Sequence, residues 1–381
     1  MASITPEEYK KIGYINFGYI SPALSDNNTY PDYIAAAVNE AVEKIQSYQN
    51  RNSVTFGFMT DIHYSDTFNH NIRTKRLLNA YKEISKRVFS NMLLMGGDYV
   101  NDGCKEYKIN NYRELRAHLD GINYYPINGN HDDNSIWDRY FIKSDNSENM
   151  LSSDELYNLF YNHLPSHQAN FDEKNDGLYY YCNDSLNKIR YIFLDVCDIP
   201  KILNEKGQLK YLKQHTFAMS QKQVDWLINK ALKFDEDGWE IIILAHDWPL
   251  SSFINKANNE EARLAFLNEI IYTYTKKGSL NEIYLEDEFK IRVKIDFSTY
   301  KTAKIIAVFA GHHHKDLIEC TGNFPPYIIT ANAMMYDNVP VLREDGKKSE
   351  LLFDMVTIDR KKHRIYLTRV GAGEDRIADY R

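Results

Sequence analysis

The chain has 381 residues, of which 43% are hydrophobic and 26% are charged, which is ordinary globular composition. Its formal net charge of -7 argues against the basic surface that marks nucleic-acid binding. No apolar run approaches the ~20 residues that a membrane-spanning helix needs, and the N-terminal stretch carries charges where a signal peptide is apolar. The four cysteines form no closely spaced pair. The sequence therefore predicts a cytoplasmic protein with reduced thiols and no membrane partner.

Predicted helices and strands alternate through the first third of the chain. A helix at 33–48 has apolar residues every three or four positions. The elements that follow are a strand at 54–60, a helix at 74–90, a strand at 92–98, a helix at 111–120 and a strand within 124–132. This alternation predicts an α/β layered fold. Residues 1–50 are interpreted as an N-terminal helical extension, and residues 51–381 as one catalytic domain.

Two segments interrupt the later part of the chain. Residues 133–187 are polar and weakly periodic, which predicts an insertion with a short helix near 154–164. A second insertion is predicted near 255–302, where a helix at 255–277 precedes an ambiguous stretch. The remaining predicted elements are strands at 189–196, 239–249, 303–314, 327–333, 354–359 and 363–370 and a helix at 220–234.

Several of the apolar strands end in polar side chains that bind metals. Because the carboxyl ends of strands form the edge where open α/β sheets place their sites, these side chains are expected to lie close together. The candidate donors are Asp61, His63, Asp98, Asn130, His246, His312 and His314. One ion would leave several of these seven donors idle, whereas two ions about 3.5–4 Å apart that share a carboxylate would use them all. Oxygen and nitrogen donors without thiolate suit Mn, Fe or Zn, with Mn favoured.

Five blocks of sequence, in this order, resemble the signature of the calcineurin-like metallophosphoesterases. They are Asp61-x-His63, Gly97-Asp98, Gly129-Asn130-His131-Asp132, His246 and Gly311-His312-x-His314. The resemblance implies a four-layer α/β/β/α sandwich. It also implies that Asp61, His63 and His314 bind one ion, that Asn130, His246 and His312 bind the other, and that Asp98 bridges the two. His131 would face the substrate, and Asp132 would orient its ring.

The resemblance implies a binuclear hydrolase of phosphate esters, in which a metal-bridging hydroxide attacks phosphorus and His131 acts as an acid or binds the phosphate. The substrate is expected to be a small phosphate ester. Asn101 stands where many relatives carry a second acid. Asn101, Asp102 and Asp132 depart from the blocks of the protein-phosphatase subgroup, which argues against a serine/threonine protein phosphatase. Phosphodiesterase activity is favoured. The alternatives are a phosphomonoesterase and, from a different class, a non-catalytic metal-stabilised binding module. The sequence leaves the oligomeric state open.

Overall fold

The computed structural model defines two compact units. One comprises the described residues within Met1–Pro126, Gly311–Asp316 and Thr330–Asp379, and the other those within Ile127–Ala310, Leu317–Ile329 and Tyr380–Arg381. The residues that the structure describes are 30–66, 69–90, 92–135, 149–165, 168–172, 177–213, 216–249, 261–284, 288–320, 322, 324–334 and 342–381. The predicted domain boundary at residue 51 and the two predicted insertions stay predictions.

The helices whose bounds the structure defines are α1 (Asp32–Tyr48), α2 (His70–Arg87), α3 (Lys105–His118), α4 (Ser153–Leu156), α5 (Gln221–Trp226) and α6 (Phe266–Thr275). Helices α4 and α5 each continue into a π-helical turn, at Tyr157–Tyr161 and Leu227–Ala231. Two 3₁₀ turns span Glu261–Leu264 and Lys348–Glu350. None of the helices among the described residues has the length and apolarity to cross a bilayer.

The strands are β1 (Ser53–Met59), β2 (Leu93–Met95), β3 (Tyr124–Pro126), β4 (Ala169–Phe171), β5 (Tyr180–Asp184), β6 (Ile189–Phe193), β7 (Glu240–Leu244), β8 (Ser279–Tyr284), β9 (Ile291–Asp296), β10 (Lys304–Ala310), β11 (Leu317–Glu319), β12 (Tyr327–Ile329), β13 (Leu352–Asp359), β14 (Arg364–Gly371) and β15 (Arg376–Asp379). They form a six-stranded sheet, a seven-stranded sheet and a two-stranded hairpin.

The first unit contains a mixed sheet in the order β15-β14-β13-β1-β2-β3. Strands β1, β2 and β3 are parallel, while β13 runs antiparallel to β1 with Phe56 opposite Val356. Strand β1 is buried from Val54 onward, which explains its nearly continuous apolar sequence. Gly57 brings the sheet close to α2, since an added Cβ would lie 2.5 Å from the Tyr81 ring. The parallel strands direct their carboxyl ends to one edge, as expected.

The second unit contains a mixed sheet in the order β11-β12-β10-β7-β6-β5-β4. Its central strands β12, β10, β7 and β6 are parallel. They contribute to an apolar core with residues of α5 and α6, including Trp226 and Ile270. Each fully buried aliphatic or aromatic side chain stabilises the fold by about 1.5–3 kcal/mol relative to an exposed one.

Sequence periodicity missed several elements. Helix α3 begins at Lys105, whereas the sequence predicted a start at 111. The prediction missed the first turns because the residues buried there include Lys108 and Asn111, which form no apolar stripe. Strands β4 and β5 lie within the predicted insertion 133–187, whose short helix is confirmed by α4 and its π-helical turn. The ambiguous stretch after residue 277 forms the β8–β9 hairpin, in which β9 alternates between buried and exposed residues.

Candidate metal centre

Three predicted ligands converge in the first unit. Asp61, His63 and His314 each offer one ligand atom, and these three atoms lie within 4.8 Å of one another. His314 Nε2 lies 3.2 Å from Asp61 Oδ1, and His63 Nε2 lies 4.0 Å from the same oxygen. Asp61 and His63 are buried, whereas His314 is partly exposed. This is a cluster of one carboxylate and two imidazoles that can hold a divalent ion.

Asp98 and His312 lie beside this cluster in the same unit. Asp98 Oδ2 is 3.7 Å from His63 Nε2, and the Asp98 carbonyl accepts a hydrogen bond from the His63 amide. The His312 amide donates to Asp61 Oδ2 over 3.1 Å. Thr60, which the sequence analysis did not single out, donates its hydroxyl hydrogen bond to the same oxygen over 2.6 Å. These bonds orient the Asp61 carboxylate and leave its Oδ1 directed toward the two imidazoles.

All five of these candidate ligands have a left-handed backbone. The φ values are 53° for Asp61, 44° for His63, 54° for Asp98, 62° for His312 and 51° for His314. Such a conformation costs a residue with a side chain roughly 1–2 kcal/mol, and it persists only where surrounding structure imposes it. Strain of this kind concentrates at functional sites. The left-handed conformation occurs at every predicted ligand of the first unit, which supports a functional site over a set of solvated strand ends.

Gly311 allows the ligand loops after β1 and β10 to approach closely. A Cβ at this position would lie 2.0 Å from Thr60 Oγ1 and 2.5 Å from Asp61 Oδ2. A side chain there would displace the hydrogen bond that orients the Asp61 carboxylate. The glycine of the G-H-x-H block is therefore required by this contact.

We expect Gly311→Ala to lower the free energy of unfolding by about 1–3 kcal/mol through overpacking and to weaken Mn²⁺ binding. Urea unfolding of the metal-free protein and calorimetric Mn²⁺ titration measure the two effects. Gly278→Ala is the matched control, because its added Cβ would meet Thr273 Cγ2 at an ordinary 3.5 Å. The control should stay within about 0.5 kcal/mol of wild type. Equal stability of the two variants would contradict the crowding argument.

Two further predicted ligands meet in the second unit. His246 Nε2 lies 2.8 Å from Asn130 Oδ1, and both side chains are buried. His246 follows β7 directly, and Asn130 lies in the turn after β3. An imidazole nitrogen beside an amide oxygen is a second pair of donors suited to the same class of ion.

His131 is set apart from its neighbours by exposure. Within residues 124–135, His131 alone is not buried. The Asp132 side chain is buried and accepts a hydrogen bond from the Gly129 amide over 2.7 Å. Asp132 thus holds the turn that carries Asn130 and His131, and its catalytic role stays a prediction.

The sequence analysis missed a buried polar cluster behind this turn. Asn128 donates from Nδ2 to Asp195 Oδ1 over 3.1 Å, and Lys213 Nζ lies 3.0 Å from Asp133 Oδ2. Asp195 follows β6 as Asp61 follows β1, so the rule that found the ligands could have identified it. Burial raises the pKa of the Asp195 carboxyl to about 6. Burial opposes the charge on Lys213, but Asp133 and Asp195 raise the pKa of its ammonium group.

We expect the free energy of unfolding of Asp195→Asn, relative to that of wild type, to increase by up to about 3 kcal/mol between pH 4 and pH 8. An unfolded Asp has a pKa of about 3.9, so the folded wild-type chain binds the extra proton between that pH and about 6. The stability that protonation contributes is complete below the unfolded pKa and is lost as the pH rises through the folded pKa. Urea unfolding of both proteins from pH 4 to 8 measures this. A difference between them that does not vary with pH would contradict the prediction.

The donor set fits divalent ions. The candidate ligands offer carboxylate oxygen, amide oxygen and imidazole nitrogen without a thiolate, which suits catalytic Mn, Fe or Zn and not a structural zinc.

A family model described as calcineurin-like phosphoesterase matches residues 54–316. The chain is similar in structure to a dimetal phosphatase from Danio rerio, with a TM-score of 0.54 and 14% identity over 86% of this chain and 99% of that one. It also resembles GAP50, the anchor in the inner membrane complex of Plasmodium (TM-score 0.41, 12% identity, covering 87% of this chain and 91% of that one). No curated protein matches the chain. The two large mixed sheets match the predicted fold class, which is confirmed.

Proposed function

The chain belongs to the calcineurin-like phosphoesterase family and is a phosphoester hydrolase, and we propose that it works with two divalent ions and prefers small phosphodiesters. The observation that carries the proposal is the convergence of Asp61, His63 and His314 within 4.8 Å. A non-catalytic binding module would not need His131, which is partly exposed in the turn that carries Asn130.

The ligand assignment follows the family resemblance. Asp61, His63 and His314 would hold one ion, Asn130, His246 and His312 would hold the other, and Asp98 would be shared. The cluster in the first unit supports the first set, and the 2.8 Å contact between His246 and Asn130 supports part of the second. Manganese is the favoured metal, with iron and zinc as alternatives.

When bound, the ions supply Lewis-acid stabilisation of the phosphoryl charge and lower the pKa of water toward about 7. The chain's own residues supply orientation and a proton. Thr60 and the His312 amide hold the Asp61 carboxylate, so that its second oxygen remains available to a ligand. His131, partly exposed next to the buried Asn130, would hydrogen-bond a phosphoryl oxygen or give a proton to the leaving group. Asp132 acts by holding the turn through its bond to Gly129.

The preference for diesters rests on the G-N-H-D and G-H-x-H blocks, which resemble the branch of the family that contains cyclic-nucleotide phosphodiesterases. A phosphomonoesterase is the second candidate, because the Danio rerio neighbour is described as a dimetal phosphatase. A cytoplasmic location stays a prediction.

The test is hydrolysis of bis(4-nitrophenyl) phosphate and 4-nitrophenyl phosphate by purified protein loaded with Mn²⁺, with EDTA-treated protein as control. The proposal expects metal-dependent turnover of both esters and a higher kcat/KM for the diester. Turnover of the monoester alone would establish the second candidate. A protein that binds two Mn²⁺ ions but hydrolyses neither ester nor any of a panel of nucleotides would be a binding module.

A further inference from the structure

The end of β14, the turn after it and the start of β15 together have the sequence RVGAGEDR, residues 369–376, and the reaction proposed above gives this segment no role. Gly371 has a φ of 103°, and a Cβ there would lie 2.0 Å from the Leu351 carbonyl oxygen. The Arg369 amide donates to Asp375 Oδ1 over 2.9 Å. The turn is therefore a defined structure that places its two terminal arginines on the first unit.

Arg369 is a buried cation with carboxylate partners. Its side chain is 1% exposed, and Nη2 donates to Asp316 Oδ1 over 2.7 Å. Its Nε donates to Asp354 Oδ1 over 2.9 Å, and Nη1 donates to the Ala372 carbonyl over 2.8 Å. These three acceptors fix the position and orientation of the planar Arg369 guanidinium. An exposed lysine ammonium group would not be held in one orientation in this way.

Arg376 reaches the same two carboxylates from the other end of the turn. Its Nη1 lies 3.3 Å from Asp316 Oδ1, and its Nη2 contacts Asp354 Oδ2. The same Nη2 lies 3.1 Å from Thr330 Oγ1, which donates to Asp354 Oδ2 over 2.6 Å. Two arginines and two aspartates thus form a charge-balanced group in which Asp354 is fully buried.

Asp316 joins this group to the proposed metal ligands. It ends the segment Gly311–Asp316, which carries His312 and His314. Asp316 Oδ1 also accepts a hydrogen bond from the Ala331 amide over 3.0 Å. The chain after Ala331 then bonds to the loop after β1, because the Ala333 amide donates to the Thr60 carbonyl over 2.9 Å. One connected set of bonds therefore links the RVGAGEDR segment to the ligand loops after β1 and β10.

We propose that Asp316, Arg369 and Arg376 are positioning residues, which hold the segment 311–316 in the left-handed geometry that aims His312 and His314 at the metals. The proposal deepens the proposed function and rests on it for the identity of the ligands. The physical need is the strain at His312 and His314, with φ of 62° and 51°. A strained backbone conformation persists only where the surrounding structure imposes it. Charge-assisted hydrogen bonds to a buried carboxylate are strong enough to impose such a conformation.

The variant that tests the proposal is Asp316→Ala. The Asp316 side chain is 20% exposed, so its loss leaves Arg369 and Arg376 paired with the buried Asp354. Arg369→Ala is a poorer choice, because it deprives buried Asp354 of a cation and such losses unfold many proteins. Arg376→Lys, which keeps the charge but loses the planar fork, serves as the second variant. Asp379→Ala is the matched control, since it removes the Arg364–Asp379 ion pair from the exposed end of the same hairpin.

The first measurement is hydrogen exchange of the metal-free proteins. We expect exchange of the Ala331 amide and of the amides in 311–316 to be about tenfold faster or more in Asp316→Ala, because a hydrogen bond to a charged group is lost. Asp379→Ala should match wild type in this segment. Unchanged exchange in a folded Asp316→Ala protein would overturn the proposal, and so would equal acceleration in Asp379→Ala.

The second measurement is calorimetric titration with Mn²⁺. We expect the affinity for at least one Mn²⁺ to fall about 10–100-fold in Asp316→Ala and less in Arg376→Lys, the usual range for residues that orient metal ligands. Wild-type affinity for both ions in Asp316→Ala would reject the positioning role and leave the proposed function standing. If the wild-type chain bound no Mn²⁺, Fe²⁺ or Zn²⁺, the proposed function would fail, and with it the proposal that these residues aim metal ligands.

Discussion

Replacing Asp98 by alanine is expected to remove both ions and to lower kcat/KM on phosphate esters by at least about 10³-fold, since Lewis-acid stabilisation is worth several kcal/mol and each 1.36 kcal/mol is a factor of ten. Asp98 is buried, has a φ of 54° and lies 3.7 Å from His63 Nε2. In the proposed assignment it is the carboxylate that both ions share, so each ion loses an anionic ligand. Elemental analysis after dialysis counts the ions, and initial rates measure the activity.

Two variants make the Asp98 result specific. Asp98→Asn keeps the size and removes the charge, and it should lose at least one ion. Glu106→Gln is the control from the helix that follows this loop, because Glu106 is an exposed carboxylate in the first turn of α3 and is not a proposed ligand. The control should keep both ions. Two ions retained by a folded Asp98→Ala protein would show that Asp98 is not shared.

Replacing His131 by alanine is expected to leave the metals and the fold intact and to lower kcat by about 10²–10⁴-fold on an ester with an alkyl leaving group. Asn130 is buried whereas the adjacent His131 is partly exposed, which is the reason to separate their roles. A nitrophenolate is a weak base that leaves without a proton, so the loss on a nitrophenyl ester should be smaller. Comparison of kcat on an alkyl and a nitrophenyl diester, with metal content measured in parallel, tests this.

His131→Asn separates the two roles left open for this residue. An amide can hydrogen-bond a phosphoryl oxygen but cannot give up a proton at pH 7. His131→Asn should therefore recover activity on the nitrophenyl ester and not on the alkyl ester if His131 is the acid. Equal losses on both esters would leave only phosphate binding. Loss of an ion would make His131 a ligand. His363→Asn, in the β13–β14 turn with a φ of 52° that Asn tolerates, should behave as wild type.

Local sequence was enough to select the candidate ligands. Each candidate ligand follows an apolar strand or a glycine turn, and the order of the five blocks carries the family resemblance. Parallel strands place their carboxyl ends at one edge, so β1 and β2 had to bring Asp61 and Asp98 near each other. Periodicity also located α1, α2 and α6 and the buried strands, because each of these buries one apolar stripe or both faces. The first turns of α3 and strand β8 bury too few apolar side chains to show such a pattern.

Tertiary structure alone decided how the ligand loops are held. His312 and Asp61 are 251 positions apart in the chain, and nothing local to either predicts the bond between them or the space that Gly311 must leave. The same is true of Asp316, whose arginine partners come from a turn more than fifty positions later. Ion pairs and hydrogen bonds between distant segments leave no periodic signal in the sequence. A polar residue in a loop is therefore predicted to be solvated, even where the tertiary structure buries it. The residue types of the proposed metal centre could therefore be predicted from the sequence, whereas the contacts that hold its loops in place connect distant parts of the chain.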